Sequence, residues 1–351
     1  MQQKIIVPLL ANPHSHLREG PVLPFLVRAA VKGLMSLIAF MPNTQKGLKT
    51  AKEVIEYMKL VMMVIEEASI PWKVDVIPIV MITEETTEEE IDECIEVGIF
   101  DAKIYPLDRT TKSHNGVREY SRLINIVGYA GRRGMRIHFH PEHPLMEIIG
   151  RDAEYLFLPI VDMFMNETEA VIVWEHGTDA RCIPFWEDWA ESGRFYVTLT
   201  AHHLAVNEDD VFGDVRAVCK PPIKTMYDRR GLILLIEKDY HWVMAGLDDA
   251  PHDVKAKQIP VGSCSCGAYT SKHGLELYAH ALDHLLPDNI QTFINFTSVN
   301  ARKLYGFEDP GTRAELVRAS NKIPEIYELG PWKVMPFWAG QDINWQARLV
   351  S

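Results

Sequence analysis

Short apolar runs rich in β-branched residues alternate with stretches of helical spacing through most of this chain, and that repetition leaves few architectures open. Eight candidate strands fall at residues 5–9, 36–41, 74–82, 100–105, 135–140, 170–176, 195–201 and 242–247. Between them, residues 50–67 carry Val54, Ile55, Met58, Val61, Met62 and Ile65 at spacings of one, three and four. Residues 84–97 open on acidic side chains, which suit a helix N-terminus. Residues 117–133 and 152–166 read as further helices. Strand–helix alternation repeated in this way predicts an α/β fold, a (β/α)8 barrel.

The chain has 351 residues, enough for one barrel of about 250 residues with extensions. No Ser/Gly-rich linker divides it, so the expected organisation is a single domain: a barrel over residues 1–308 and a C-terminal extension over 309–351 packed on it. The extension holds Trp332, Trp338 and Trp345 among several prolines and glycines. Hydrophobic residues at 47% and charged residues at 24% exclude a disordered or coiled-coil chain. A net charge of −12 argues against nucleic acid as a partner, and means that an anionic substrate needs a local basic pocket. No apolar run approaches the roughly 18 residues of a membrane span, and the N-terminus lacks a signal-peptide apolar region. Five cysteines do not make a disulfide framework in a chain this long. The expected place is the cytoplasm, with no membrane partner.

Polar residues able to bind metal cluster at the C-terminal ends of the candidate strands, the face that carries the active site in this fold. After the first strand comes Asn12-Pro13-His14-Ser15-His16-Leu17-Arg18. Residues two apart on extended backbone point to one side, so His14 and His16 can reach one ion. Lys103 lies in an otherwise apolar strand, where an unpaired charge is costly. Three readings compete for it: a Schiff-base lysine, a satisfied ion pair, or a lysine carboxylated by carbon dioxide into an anionic metal bridge. Strand ends also bring His138-Phe139-His140, Glu175-His176 and Asp248-Asp249-Ala250-Pro251-His252. His14, His16, His140 and His176 with Lys103 and Asp248 form a set that would satisfy a binuclear divalent site, and such a site suits hydrolysis of an amide or its reverse. In that chemistry Asp248 would take a proton from the attacking hydroxide and pass it to the leaving nitrogen.

The motifs Asn12-Pro13-His14-Ser15-His16-Leu17-Arg18-Glu19-Gly20, Met41-Pro42-Asn43-Thr44, Ala102-Lys103-Ile104-Tyr105-Pro106, Glu175-His176, Asp248-Asp249-Ala250-Pro251-His252 and Pro336-Phe337-Trp338-Ala339-Gly340 span nearly the whole chain. In them the chain resembles the dihydroorotases of the shorter, homodimeric type II class, within the amidohydrolase superfamily. The resemblance implies reversible, zinc-dependent cyclisation of N-carbamoyl-L-aspartate to (S)-dihydroorotate in pyrimidine synthesis. It implies two Zn2+ per subunit, bridged by N6-carboxylated Lys103 and a hydroxide. His14, His16 and Asp248 would hold the more buried ion, and His140 and His176 the second. Arg18, Asn43 and His252 would take the substrate carboxylate. Thr110 and Thr111 match a loop that closes over substrate. Lys220, in Cys219-Lys220-Pro221, and Gly267 with Ala268 match backbone contacts to the ring.

His138 and His143 flank His140, and His140 is preferred because Pro141-Glu142 follows it as in the family. Asn12-Pro13 departs from the family, which often has an acidic and an apolar residue there. His202 and His203 are expected not to be ligands, and Cys264 and Cys266 to be structural thiols. Two other functions share parts of this pattern. A hydantoinase or allantoinase would share the metals but not the carboxylate set Arg18, Asn43 and His252. A non-catalytic amidohydrolase-like scaffold would be expected to have lost ligands, and all six candidates are present.

Overall fold

Burial on both faces decides which apolar runs enter the barrel. The molecule, a computed structural model, is described here over residues 4–258 and 265–350. In chain order its strands are β1 Lys4–Pro8, β2 Leu10–Ser15, β3 Met35–Phe40, β4 Asp75–Ile77, β5 Ile79–Met81, β6 Asp101–Ile104, β7 Arg136–Phe139, β8 Val171–Trp174, β9 Phe195–Leu199, β10 Val243–Ala245, β11 Arg313–Lys322, β12 Tyr327–Leu329, β13 Trp332–Val334 and β14 Asp342–Leu349. Every residue of β2, β3, β5, β6 and β10 is buried, as expected of parallel strands covered on both sides.

Two parallel sheets, β2-β3-β4 and β5-β6-β7-β8-β9-β10, make up the wall. β4 and β5 are halves of the single strand expected at 74–82, parted at Pro78, which has no N–H to give to a ladder. The first barrel strand, β2, meets the chain just beyond the end of the last, β10. There Asp248 N donates to His14 O at 3.1 Å, His16 N to Asp249 O at 3.2 Å, and Leu247 N to the Asn12 side chain at 2.9 Å. A parallel bridge joins Ser15 to Asp249. Eight parallel strand positions thus close into the expected (β/α)8 barrel.

One expected strand is corrected. Residues 5–9 do not form the first barrel strand; that strand is β2, so His14 lies inside it rather than after it. β1 instead pairs antiparallel with β11, Ile5 opposite Leu316, and β11 pairs with β14, placing the N-terminal strand on the C-terminal extension. Trp345 of β14 is fully buried and donates its indole N–H to Asp283 at 2.8 Å.

The helices begin where their caps dictate. Thr50 and Glu53 form a reciprocal capping box at the start of Ala51–Glu67, which turns Val54, Tyr57, Val61 and Val64 inward. Thr87 and Glu90 do the same for Glu88–Glu96, so that helix starts later than residue 84. The helix expected at 117–133 is a 3-10 turn, Tyr120–Leu123, leading into Ile124–Arg132. That expected at 152–166 is broken into Gly150–Ala153, Tyr155–Phe157 and Leu158–Glu167. At the closed end of the barrel, buried Arg302 from Asn300–Tyr305 binds Asp75 of β4 at 2.9 Å and Ser36 O of β3 at 2.8 Å.

Candidate active site

His14 in β2 and His16 just after it share one side of extended backbone, and both turn to Asp248. His14 Nε2 lies 3.1 Å and His16 Nε2 2.9 Å from Asp248 Oδ1. The three side chains are buried, and their candidate ligand atoms lie within 4.8 Å of one another. His140 and His176 follow β7 and β8. His176 Nε2 faces His140 Nδ1 at 3.0 Å, and the rings of His176 and His14 are 5.2 Å apart, so the two groups are contiguous. Lys103 of β6 rises between them, fully buried, with Nζ 3.5 Å from Phe139 O and 3.9 Å from Glu175 Oε1.

Four imidazoles, a carboxylate and a buried amine without a short hydrogen bond converge on one space. This donor set fits two divalent ions. Burial favours the neutral imidazole, the form that ligates metal, at three of the four histidines. It lowers His16 to about 4, with Arg18 adding to the effect, and lowers His140 and His176 too. At His14 burial acts in the same direction, but Glu175 and Asp248 outweigh it and the pKa rises. Burial would raise the Asp248 carboxyl, yet the neighbouring histidines hold it well below its ordinary value. Lys103 is pushed down to about 8 by burial, against the pull of Glu175 and Asp248.

Around this set stands a ring of orienting groups. Glu175 accepts from His14 Nδ1 at 2.8 Å, from Thr198 at 2.7 Å and from His138 Nδ1 at 2.6 Å. His138 reaches Asp101 with its other nitrogen at 3.0 Å, so it turns away from the site. His143 accepts from Leu145 N and is only partly buried. His140 is therefore the ring of the three that faces the site. Its Nε2 is held by Glu142 at 2.8 Å, and His16 Nδ1 is held by Asn43 at 2.9 Å.

Above lies a small cavity reached by Arg18, Asn43, Thr110, Thr111, Lys220 and Gly267, with His16, His140 and Asp248 beneath. Arg18 is buried, anchored through Nε to Pro251 O at 3.0 Å, and it meets His252 at 3.1 Å. Asn43 is engaged twice, by His16 and by donation to Thr111 O at 3.1 Å. The Thr111 hydroxyl donates to Cys266 O at 3.2 Å, which lays the loop across the opening. Lys220 Nζ donates to Arg109 O at 2.6 Å. Ala268 does not line the cavity; its carbonyl accepts from Ala250 N at 2.8 Å. Arg18, His176 and Asp248 have φ of 55°, 41° and 46°, a left-handed conformation in which non-glycine residues are strained. His202, His203 and Cys219 gather in a separate buried group, where His203 bonds Thr200 and Pro221 O. Cys264 lies outside the described residues.

No family model matches the chain. Full-length relatives do. It is 27% identical to a dihydroorotase of Cupriavidus necator over 99% of this chain and 100% of that one. It is 29% identical to one of Shewanella sediminis over 95% and 96%. A crystal structure of the Saccharomyces cerevisiae dihydroorotase with 5-fluoroorotic acid superposes with a TM-score of 0.91, at 25% identity and 99% coverage of both chains. Along its whole length the chain is thus similar to dihydroorotases in sequence and in structure. The L-hydantoinase of Arthrobacter aurescens, at 13% identity and a TM-score of 0.83, shares the fold.

In this dihydroorotase-like barrel, sequence reasoning missed Glu142 and the orienting work of Glu175 and Asn43. Glu175 and Glu142 each lie within two residues of a strand-end histidine, and that adjacency was the available signal. Arg109 gave none, since a charged loop residue is more often solvated.

Proposed function

We propose that this chain interconverts N-carbamoyl-L-aspartate and dihydroorotate, a hydrolase acting on a cyclic amide. The observation that carries the reading is Arg18. In a chain of net charge −12, a buried guanidinium faces the cavity beside His16 and Asp248, where a carboxylated substrate needs its counter-charge. Such a fork pairs bidentately with a carboxylate, and His252 and Asn43 flank it. When bound, two divalent ions would supply Lewis acidity toward the amide carbonyl and lower the pKa of water. His14, His16 and Asp248 would hold one, His140 and His176 the other, and carboxylated Lys103 both. The depressed Lys103 pKa favours the neutral amine that must react with carbon dioxide. Asp248, anionic beside the histidines, takes the proton released in ring opening and hands it to the ring nitrogen; in cyclisation it begins protonated. Thr110 and Thr111 close over the substrate, while Lys220 and Gly267 offer backbone to the ring; Ala268, outside the cavity, does not. We read the ions as zinc, the assembly as a homodimer and the location as cytoplasmic. Among the described residues no helix is long and apolar enough to cross a membrane.

The test is ring opening of dihydroorotate by the chelated and the zinc-reconstituted protein, with hydantoin and allantoin assayed in parallel. Zinc-dependent turnover of dihydroorotate is expected. Turnover of hydantoin without dihydroorotate would transfer the chain to the other cyclic amidases, and no zinc uptake would favour a scaffold.

A further inference from the structure

The root of the 108–113 loop meets the second group of candidate ligands through a buried pair that is close but not closed. Arg109 precedes Thr110-Thr111 and is 4% exposed; Glu142 is 0% exposed. The guanidinium is fixed by donation to Leu145 O at 3.2 Å and Ile148 O at 2.8 Å. Its Nε lies 3.8 Å from Glu142 Oε1, and neither atom has a hydrogen-bond partner among the described residues. The other Glu142 oxygen holds His140 Nε2 at 2.8 Å, which leaves Nδ1 to face His176. A buried carboxylate with an unpaired oxygen is costly, so the pair gains by closing to a charge-assisted bond of about 2.8 Å. The Arg109 backbone is meanwhile held by Lys220. One residue therefore carries the loop on its main chain and faces, with its side chain, the carboxylate that orients His140.

We propose that Arg109 is a positioning residue that couples closure of the 108–113 loop to the grip of His140 on its ion, acting through Glu142. The inference rests on the reading of His140 as a metal ligand. Coupling of this kind is reciprocal: a closed loop tightens the ion, and the ion steadies the loop. Arg109 need touch neither substrate nor metal for this.

The experiment uses the full chain loaded with zinc. Zinc content is measured after dialysis against graded chelator, with and without dihydroorotate, for wild type, Arg109→Gln, Arg109→Lys and Glu142→Gln. Outer partners of metal-bound histidines are typically worth about 10–100-fold in metal affinity. Arg109→Gln and Glu142→Gln are expected to lose one of two zinc ions at correspondingly lower chelator, and the double variant to lose little more, because the two act in series. Arg109→Lys, which keeps the charge, should fall between. Amide exchange of residues 108–113 should slow on zinc loading in wild type but not in Arg109→Gln. A raised KM in Arg109→Gln with wild-type zinc retention and wild-type zinc-dependent exchange would overturn the proposal and leave Arg109 as a plain loop anchor. A wild type that retains two zinc ions while the variants match it overturns this inference alone. A wild type that takes up no zinc overturns the metal reading as well.

Discussion

Replacing Glu175 by glutamine changes one atom and one charge, and the hydrogen bonds around it say where the amide must turn. One carboxylate oxygen serves His14 and Thr198, and the other serves His138 at 2.6 Å with Lys103 at 3.9 Å. If the amide NH2 faced His14, that ring would have to move its proton to Nε2 and lose its lone pair toward Asp248. If it faces His138, that ring can accept at Nδ1 and donate from Nε2 to Asp101, 3.0 Å away. The second arrangement satisfies every partner, so Glu175→Gln should fold and keep the His14 tautomer. What it loses is charge. A bond to a charged group contributes about 1.5–3 kcal/mol against about 1 for a neutral one, a difference of about 0.5–2 kcal/mol at His14. That corresponds to about 2–30-fold weaker binding of the ion at His14 and His16. Competition of zinc against a chelator, with occupancy followed by atomic absorption, measures it directly. Glu175→Leu, which leaves His14, His138 and Lys103 without their carboxylate, should lose far more. Wild-type zinc affinity in both variants would refute the claim that Glu175 tunes His14.

Arg18→Lys keeps the charge but loses the fork, and should raise KM for both substrates about tenfold or more; unchanged kinetics here and in Arg18→Ala would place the residue outside the pocket. Asp248→Asn cannot carry a proton and should lose about 10²–10⁴-fold in rate in both directions, whereas near-wild-type rates in zinc-replete protein would leave Asp248 a ligand at most. With the Lys103 amine pushed down to about 8, its neutral form grows as pH rises through that value. Reactivation of metal-free protein by zinc at a fixed concentration of dissolved carbon dioxide should therefore be faster at about pH 9 than at about pH 6, Lys103→Ala should not reactivate, and a pH-independent rate would count against carboxylation. Arg302→Met leaves the buried Asp75 carboxylate with only the exposed Lys73 as its ionic partner and should cost about 1–3 kcal/mol in urea denaturation; a change below about 0.5 kcal/mol would show the pair to be dispensable.

The barrel was legible because its strands are buried on both faces and so read as continuous apolar runs, each ending in the polar residues of the open face. The same rule misplaced the first strand. Residues 5–10 are one apolar run, and only pairing with β11, about three hundred residues away, shows that its first half belongs to the tail. His14, His16, His140, His176, Lys103 and Asp248 were readable because strand ends share a face. The orienting groups were not, because barrel curvature decides which ring Glu175 or Glu142 meets. Asn43 shows the limit in another way: expected at the substrate, it also carries His16. Asn12, a departure from the family, is accounted for by its bond to Leu247 N across the junction of β2 and β10.

That junction has a consequence for how the molecule is made. His16 and Asp248 are 232 residues apart in the chain. As the chain leaves the ribosome, β2 is finished early and waits with an open edge until β10 arrives. Contacts this distant in sequence are slow to form, because a long loop must close before they reward it. The junction is therefore the last stitch of the barrel, and it is also where His14, His16 and Asp248 converge. An ion held there would tie the earliest barrel strand to the latest, and the supply of metal would then bear on how many newly made chains stay closed as well as on how fast each one works.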